Sequence, residues 1–369
     1  MKILITGAHF TPALAVIEEL RKISGVEVIY VGRSTTLEGD KTWSVESEVL
    51  SSKSIKFIPI ITGRLQRSFT IYTIPSLLKI PIGLLQALFI FFTEKPDVIL
   101  SFGGYVAVPT VLIGWLWSIP IIIHEQTLVS GLANEISALF ADKICLSFPQ
   151  NPFSKKDNAT VTGNPIRKEI LYPGKVDSEY ERIFETAAKE KFPVILITGG
   201  NQGSHILNLA VEEVLEKLTK IAVVIQVSGD NKFRDFERMK ELQSDRFLVK
   251  KWIGKEWGEL VSKADLVVSR AGINTLVELA YFSKPALIIP IPYLYQDEQN
   301  KNAKYFEELG LAEVLPQSKL SSKTLFQKIK EMLKSLNTLK ESARKAKEVL
   351  IPDAAKRLAL ETILLAKHD

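Results

Sequence analysis

Residues 193–204 have the sequence Pro-Val-Ile-Leu-Ile-Thr-Gly-Gly-Asn-Gln-Gly-Ser, in which an apolar, β-branched run ends in a glycine-rich turn. A run that is apolar at every position, rather than at alternate positions, is typical of a strand covered by helices on both faces of a parallel sheet. Glycines after such a strand allow a tight turn and bring backbone N–H groups close to an anion. The segment therefore predicts a strand, a diphosphate-binding turn and a helix.

Similar runs alternate with amphipathic segments along both halves of the chain. We predict strands at residues 2–6, 26–31, 55–60, 97–102, 120–124 and 143–148, and, after a polar stretch, at 193–197, 222–227, 247–249, 265–269 and 286–290. Strands that alternate with helices indicate doubly wound parallel sheets. We therefore predict the α/β class, with two Rossmann-like doubly wound domains facing a cleft.

The length supports two domains, because one hydrophobic core rarely grows beyond about 250–300 residues and the chain has 369. We place an N-terminal domain at 1–165, a C-terminal domain at 166–350 and a last helix within 351–369. Its apolar residues are predicted to share one side of the helix: Leu358, Leu360, Ile363 and Leu364.

Composition excludes several classes of protein. Apolar residues make up 46% and charged residues 24%, as in ordinary globular proteins. The single cysteine, Cys145, excludes an intrachain disulfide framework and cysteine-based zinc sites. The net charge of +5 is too small to indicate a nucleic-acid partner. The apolar run after Met1 breaks at Gly7, too early for a signal peptide, and the uncharged residues 80–93 are too few to span a bilayer.

Loops that follow strands in the first half carry candidate functional residues. Gly7 and His9 precede a predicted helix, where a neutral imidazole suits a general base or, alternatively, only caps the helix or positions a ligand. The turn 103–105, Gly-Gly-Tyr, is either an anion site or a plain connection. The polar run 124–127, His-Glu-Gln-Thr, directly follows an apolar strand. Burying polar side chains costs free energy, so this position favours a functional site over polar residues that are merely buried in the core.

The second half offers a different set of polar side chains. Arg167 follows a rigid Gly-Asn-Pro turn and either contacts a phosphate or holds the domains together. Glu278, on the second turn of a predicted helix, either accepts two ribose hydroxyls or faces solvent. Gln299 and Asn302 share a helix face and carry amides, which suit sugar hydroxyls. The glycine-rich turn matches neither the dinucleotide fingerprint nor a P-loop, which disfavours a dehydrogenase and a nucleoside triphosphatase.

Taken in order, these motifs resemble the MurG family of bacterial peptidoglycan N-acetylglucosamine transferases, in glycosyltransferase family 28. The resemblance covers nearly the whole chain and rests on Gly103-Gly104-Tyr105, His124-Glu125-Gln126, Gly163-Asn164-Pro165-x-Arg167, Gly199-Gly200-x-Gln202-Gly203, Arg270-x-Gly272-x-x-Thr275-x-x-Glu278, Gln299-x-x-Asn302-Ala303 and Ile351-Pro352-Asp353-Ala354. It implies a glycosyltransferase-B fold and inverting transfer of N-acetylglucosamine from UDP to the C4 hydroxyl of lipid-linked muramyl-pentapeptide.

The resemblance also implies a role for each domain and for single residues. The C-terminal domain would bind the UDP-sugar, the N-terminal domain would bind the acceptor and the membrane, and the last helix would pack back on the N-terminal domain. The UDP-sugar residues would be Arg167, Asn201 and Gln202 near the diphosphate, Glu278 on the ribose, Gln299 on the sugar, and Ile253. The base would be His9, and the acceptor residues Gly7, Gly103, Gly104, Tyr105, Glu125 and Thr127.

The expected partners are UDP-N-acetylglucosamine, an undecaprenyl-linked muramyl-peptide and an anionic membrane surface, with no metal, no cofactor and no nucleic acid. The protein would lie peripherally on the cytoplasmic face of the cell membrane. Departures from the family pattern are a first loop that keeps only Gly7, Thr127 in place of the usual asparagine, and Asn201 in place of the usual serine. A related glycolipid glycosyltransferase and a non-catalytic nucleotide-sugar-binding protein therefore remain open alternatives.

A membrane-facing segment is predicted at residues 51–93, which contain no acidic residue. Its basic residues are Lys53, Lys56, Arg64, Arg67 and Lys79, and its apolar ones include Phe69, Ile74, Leu77, Leu78, Leu84, Leu85, Phe89 and Phe91. An apolar surface ringed by cations lies well on anionic headgroups. We predict that the loop 63–69 and the outer face of the following helix contact lipid, while the inner face covers the sheet.

Overall fold

The computed structural model describes residues 1–33, 45–63, 73–200 and 202–367. The predicted roles of Asn201, Arg64, Arg67 and Phe69 lie outside these ranges. The chain forms two compact units, one made of Met1–Arg167 with Ile351–Asp369 and the other of Lys168–Leu350. Each unit is built around its own parallel β-sheet, so each has its own core.

The first unit contains a seven-stranded sheet in the order β3-β2-β1-β4-β5-β6-β7. Its strands are β1 (Lys2–Thr6), β2 (Glu27–Gly32), β3 (Lys56–Pro59), β4 (Val98–Ser101), β5 (Ile121–Glu125), β6 (Lys143–Leu146) and β7 (Ala159–Val161). Its helices before the second unit are α1 (Phe10–Leu20), α2 (Val45–Ser52), α3 (Thr73–Glu94), α4 (Ala107–Leu116) and α5 (Leu132–Ser137), with a 3-10 turn at Pro152–Lys155.

The second unit contains a six-stranded sheet in the order β10-β9-β8-β11-β12-β13. The strands are β8 (Val194–Thr198), β9 (Val223–Val227), β10 (Phe247–Lys250), β11 (Leu266–Ser269), β12 (Ala286–Ile288) and β13 (Ala312–Val314). The helices are α6 (Lys168–Leu171), α7 (Ser178–Glu190), α8 (His205–Leu218), α9 (Asp235–Lys240), α10 (Trp257–Lys263), α11 (Ile273–Tyr281), α12 (Glu298–Glu308), α13 (Ser322–Lys334) and α14 (Leu336–Glu348), with 3-10 turns at Tyr295–Asp297 and Gln317–Lys319.

The predicted fold class, two doubly wound parallel α/β sheets, is confirmed. The continuously apolar runs are the central strands, and β1 and β8 are buried along nearly their whole length. The sequence analysis missed the outermost strands β7 and β13, which are three residues long and read Ala-Thr-Val and Ala-Glu-Val. Strands this short carry too little apolar pattern to be distinguished from a loop.

The last helix, α15 (Ala354–Leu365), returns to the first unit and packs on α1. Leu358 and Ile363 are buried there in the same core as Ile3 and Val16. The prediction that Leu360 and Leu364 share this apolar side is wrong, because they are 47% and 51% exposed. At 100° per residue both positions are turned away from the face that carries the buried residues.

Both sheets change direction beside their first strand, since β1 lies between β2 and β4 and β8 lies between β9 and β11. At such a switch point the loops leaving neighbouring strands run to opposite faces of the sheet and leave a crevice at the carboxyl edge. The loops after β1 and β4, and those after β8 and β11, are therefore the places to look for a site in each unit.

Candidate active site

In the first unit the loops after β1 and β4 are packed directly against each other. The N–H of Ala8 donates to the carbonyl oxygen of Gly103 at 2.9 Å. Gly7 has φ +144°, and a β-carbon on it would lie 2.8 Å from the carbonyl carbon of Phe102. A β-carbon on Gly104 (φ +79°) would lie 2.4 Å from that of Ala8. Glycine at these positions therefore permits the close approach of the two loops.

His9 stands immediately before the first residue of α1, and its side chain is exposed. The turn below it is held by Tyr30, whose buried hydroxyl donates to the carbonyl oxygen of Gly7 at 2.9 Å. Desolvation by the surrounding protein, followed by the positive charge of Arg33, lowers the pKa of His9. Because the ring is exposed, solvent screens this effect and keeps the shift below that of a buried histidine. The imidazole is therefore neutral near pH 7 and able to accept a proton.

Glu125 is buried, and its carboxylate is fully engaged inside the first unit. One oxygen accepts from the N–H and the hydroxyl of Thr127, both at 3.0 Å, and the other from the N–H of Gly131 at 3.2 Å and the amide of Asn134 at 2.9 Å. Burial raises the pKa of Glu125, and these hydrogen bonds oppose the rise. Thr127 is buried too, and its hydroxyl hydrogen is shared between Glu125 and the carbonyl oxygen of Val129. Both side chains thus organise the loop after β5.

His124, one residue before Glu125, is a buried link between strands. Its Nε2 lies 3.2 Å from both the carbonyl oxygen of Gly163 and the hydroxyl of Ser147. Burial lowers its pKa to about 4, so the ring is neutral at pH 7. Tyr105, the remaining residue predicted to bind the acceptor, is half-buried at the start of the segment that leads into α4.

In the second unit, the turn after β8 has the conformation that only glycine adopts readily. Gly200 and Gly203 have φ of +86° and +73°, and the N–H of Gly203 donates to the carbonyl oxygen of Gly200 at 2.9 Å. Ser204 then precedes α8, a helix of 14 residues whose first N–H groups are available to an anion. Gln202 is exposed in this turn.

Arg270 joins this turn to the carboxyl edge of the sheet, and the sequence analysis gave it no role. Its guanidinium is buried and donates to the hydroxyl of Ser204 at 2.6 Å and to the carbonyl oxygen of Ile289 at 3.0 Å. Desolvation lowers its pKa. Within the described ranges Arg270 forms no ion pair with a carboxylate. Its positive charge therefore stands beside the glycine-rich turn without a matching negative charge.

Glu278 is 5% exposed, so the alternative of a solvent-facing glutamate is wrong. Its Oε2 accepts a hydrogen bond from the indole Nε1 of Trp257 at 2.7 Å. Trp257 is the first residue of α10, and Glu278 lies on the second turn of α11. The sequence analysis missed Trp257, because an aromatic residue beside an apolar run is usually part of the core.

Gln299 and Asn302, on one face of α12, hold the backbone of the neighbouring loops. The amide oxygen of Gln299 accepts from the N–H of Ala271 at 3.2 Å and from that of Ile291 at 3.0 Å. The amide of Asn302 donates to the carbonyl oxygen of Ala271 at 3.2 Å. The amide N–H groups of Gln299 make no hydrogen bond within the described part of the chain. Gln299 is therefore available to a ligand only as a donor.

A buried charge cluster behind the glycine-rich turn also escaped the sequence analysis. The fully buried carboxylate of Asp235 accepts from His205 at 2.8 Å, Asn208 at 2.8 Å, Asn231 at 2.9 Å and Arg238 at 2.8 Å. Burial acts to raise the pKa of Asp235, but these hydrogen bonds outweigh it and the pKa is lowered. The cluster fixes the start of α8 and thereby the end of the turn.

The remaining predicted positions are divided between the units. Arg167 is half-buried and is the last residue of the first unit's leading segment, whereas Gln202, Glu278 and Gln299 belong to the second unit. Ile253 is half-buried in the loop between β10 and α10. The structure thus gathers the glycine-rich turn, Arg270, Glu278 and Gln299 at the carboxyl edge of one sheet, and His9 with Gly103 and Gly104 at that of the other.

The first unit also presents an apolar stripe on α3. The exposed members, spaced three or four residues apart on one side of the helix, are Ile74, Leu78, Ile82, Leu85, Phe89 and Phe92. Phe92 lies 4.9 Å from the ring of Trp117, which extends the stripe to the exposed Trp115 and Leu116. Phe91, named above among the apolar residues of the segment, is fully buried on the opposite side of α3 and so belongs to its inner face.

The predicted ring of cations around the stripe is partly neutralised. Lys53 pairs with Glu18 at 2.7 Å and Lys56 with Glu94 at 2.7 Å. Glu18 and Glu94 lie outside residues 51–93, so the sequence analysis of that segment did not include them. Across the described ranges, no helix has both the length and the apolar character needed to cross a bilayer.

Comparison with known proteins identifies the family of this chain. Residues 6–146 match the N-terminal domain of glycosyltransferase family 28 and residues 194–358 match its C-terminal domain. A protein of Clostridium kluyveri named UDP-N-acetylglucosamine–N-acetylmuramyl-(pentapeptide) pyrophosphoryl-undecaprenol N-acetylglucosamine transferase is 33% identical, over 97% of both chains. A protein of the same name from Clostridium perfringens (strain SM101) is 35% identical, over 92% of this chain and 94% of its own.

A solved structure supports the same assignment. The crystal structure of Acinetobacter baumannii MurG superposes with a TM-score of 0.71 at 25% identity, covering 98% of this chain and 99% of that one. The resemblance drawn from the motifs is therefore confirmed, and the chain belongs to the MurG family within glycosyltransferase family 28.

Proposed function

We propose that the protein transfers N-acetylglucosamine from UDP-N-acetylglucosamine to the C4 hydroxyl of a muramyl-pentapeptide carried on undecaprenyl diphosphate, with inversion at the anomeric carbon. The names of the two Clostridium relatives support these substrates. The observation that carries the proposal is the arrangement in the second unit, where a buried carboxylate, Glu278, shares the sheet edge with the glycine-rich turn and with Arg270, whose guanidinium pairs with no carboxylate of the described residues.

The second unit would hold the donor. Glu278 accepts the ribose hydroxyls, and the diphosphate lies on the N–H groups of the turn 199–204 beside Gln202. Asn201 and Arg167 keep the diphosphate contacts that the family resemblance implies. Gln299 donates its amide N–H groups to the transferred sugar, and Ile253 lines the nucleotide. As the bond to the sugar breaks, negative charge grows on UDP. The helix N-terminus and the guanidinium of Arg270 stabilise that charge more strongly in the transition state than in the bound substrate.

The first unit would hold the acceptor and the base. The loops of Gly7, Gly103 and Gly104, with Tyr105, receive the acceptor diphosphate, and Glu125 with Thr127 keeps the loop after β5 in shape. His9, neutral near pH 7, takes the proton from the acceptor C4 hydroxyl on the face of the sugar opposite the leaving group. General base catalysis of this kind contributes about 10²–10⁴-fold in rate.

The acceptor is a lipid, so the protein must work at a bilayer surface. We propose that the stripe on α3, with Trp115 and Trp117, rests on the cytoplasmic face of the membrane. Exposed apolar and aromatic side chains in one continuous area support this placement. Because Lys53 and Lys56 are already paired, we expect apolar contact to contribute more than charge.

The decisive experiment incubates the protein with radiolabelled UDP-N-acetylglucosamine and the muramyl lipid, followed by identification of the lipid product. We expect a β-linked disaccharide lipid and release of UDP. Transfer to diacylglycerol instead of the muramyl lipid would identify a related glycolipid transferase. Tight binding of the donor without its consumption would identify a nucleotide-sugar-binding protein.

A further inference from the structure

Trp257 and Glu278 form a buried pair at the proposed ribose site, with the indole N–H 2.7 Å from the carboxylate. Trp257 is 8% exposed and Glu278 5% exposed, so water has little access to either partner. An indole nitrogen can only donate and an ionised carboxylate can only accept, so the direction of the hydrogen bond is fixed. The pair therefore holds the carboxylate in one orientation.

The position of Trp257 is itself fixed by close packing of α10. Gly258, the next residue, lies so near α6 that a β-carbon on it would stand 2.2 Å from the carbonyl oxygen of Glu169. Trp257 also donates its backbone N–H to the carbonyl oxygen of Gly254 at 3.2 Å. The indole is thus presented to Glu278 from an element that has little freedom to shift.

A glutamate without such a donor samples several rotamers, and binding a ligand must then select one of them. A charge-assisted hydrogen bond selects the rotamer in advance. An ionised carboxylate offers about four acceptor sites, and the indole N–H occupies one of them. The hydrogen bond to Trp257 therefore prepares Glu278 for a ligand that carries a pair of hydroxyl groups.

Resting on the donor site proposed above, we propose that Trp257 is a positioning residue for ribose recognition. Its indole N–H orients Glu278 toward the two ribose hydroxyls, and so it sets the preference of the site for ribonucleotides over nucleotides that lack these hydroxyls. Trp257 contributes to this preference without touching the ribose itself.

The test is calorimetric titration of the wild-type protein and Trp257→Phe with UDP and with 2′,3′-dideoxyuridine diphosphate. The phenylalanine keeps an aromatic ring and removes the N–H. We expect the affinity for UDP to fall about tenfold, because a carboxylate that is no longer held in place loses one charge-assisted hydrogen bond to the ribose. The affinity for the dideoxy analogue should change less than about twofold. In Glu278→Ala, adding Trp257→Phe should have no further effect on UDP binding.

Equal loss of both ligands in Trp257→Phe would show that the indole only packs, and unchanged UDP binding in that variant would show that its N–H is not needed. Either result overturns the inference, whereas the proposed function stands as long as the wild-type protein binds UDP. Wild-type protein that binds no UDP would overturn the proposed function, and the inference with it. If Trp257→Phe does not fold, ¹⁵N spectra of the indole groups replace it. One indole N–H must shift between the wild-type protein and Glu278→Ala, and the absence of such a shift overturns the inference.

Discussion

Gly203 lies directly against Ser228, so that a β-carbon on Gly203 would stand 1.9 Å from the Ser228 carbonyl oxygen. This contact joins the glycine-rich turn after β8 to the loop after β9. With φ at +73°, Gly203 also has a backbone conformation that other residues adopt only with strain. The shape of the proposed diphosphate site thus depends on Gly203 having no side chain.

Gly203→Ala should destabilise the protein by at least about 2 kcal/mol, because the clash with backbone adds to the strain of the positive φ. It should also abolish measurable UDP binding. Urea unfolding and calorimetry check both effects. Gly174→Ala is the matched control, since nothing lies within 4 Å of the β-carbon it adds. Wild-type UDP affinity in Gly203→Ala would contradict the assignment of the turn to the diphosphate.

His9→Ala should lower kcat by about 10²–10⁴-fold, the range of general base catalysis, with UDP affinity unchanged. The pKa of His9 is lowered from 6.5, so the ring stays neutral somewhat below that pH. The acid limb of the wild-type kcat profile should therefore have its midpoint below pH 6.5, and it should be absent in the variant. Unchanged turnover in His9→Ala would remove His9 from the base role.

Gln299→Glu tests the amide as a donor to the sugar. The variant keeps an oxygen for the N–H groups of Ala271 and Ile291 and removes the amide N–H groups. Affinity for UDP-N-acetylglucosamine should fall about tenfold, while affinity for UDP should change less than about threefold. Calorimetry with both ligands separates the two effects. An equal fall for UDP would place the amide near the diphosphate instead of the sugar.

Replacing Leu85 and Phe89 by serine should reduce co-sedimentation with anionic phospholipid vesicles about tenfold or more, because both side chains lie in the exposed stripe on α3. Leu242→Ser is the control, an exposed apolar residue of the second unit that is 43% accessible. Raising the salt concentration should weaken binding less than the two substitutions do. Full vesicle binding by the double variant would exclude the stripe as the membrane contact.

His124 should make stability depend on pH. Its pKa falls from 6.5 to about 4 on burial, so between these values the unfolded chain binds a proton that the folded chain does not. The stabilisation is complete above pH 6.5 and is lost as the pH falls toward 4, by about 3 kcal/mol in total. Urea unfolding of wild-type protein and His124→Asn between pH 4.5 and 7.5 should show this dependence only in the wild type. Both proteins contain Glu125, whose raised pKa acts in the opposite direction, so subtracting the unfolding free energy of the variant from that of the wild type removes the contribution of Glu125.

The sequence predicted most of the fold because its central strands are continuously apolar and are punctuated by glycine. It could not predict β7 and β13, whose three residues are stabilised by sheet neighbours rather than by their own pattern. The apolar pattern of α15 also assigned Leu360 and Leu364 to the buried side of the helix, whereas the structure exposes both. In the candidate site, residue type and position identified Glu278 as a ribose-binding candidate. Its hydrogen bond from Trp257 joins residues that are 21 positions apart, and the four donors on Asp235 come from separate segments, so both features are visible only in the three-dimensional structure.

The return of α15 to the first unit makes the second unit an insertion within the first. A fragment ending near Arg167 would lack Leu358 and Ile363, which are buried in the same core as Ile3 and Val16. During synthesis the first unit therefore stays unfinished until its final helix emerges, whereas residues 168–350 are already contiguous. The half of the chain that is made first is thus the half that matures last, and a nascent-chain protease assay would detect this order.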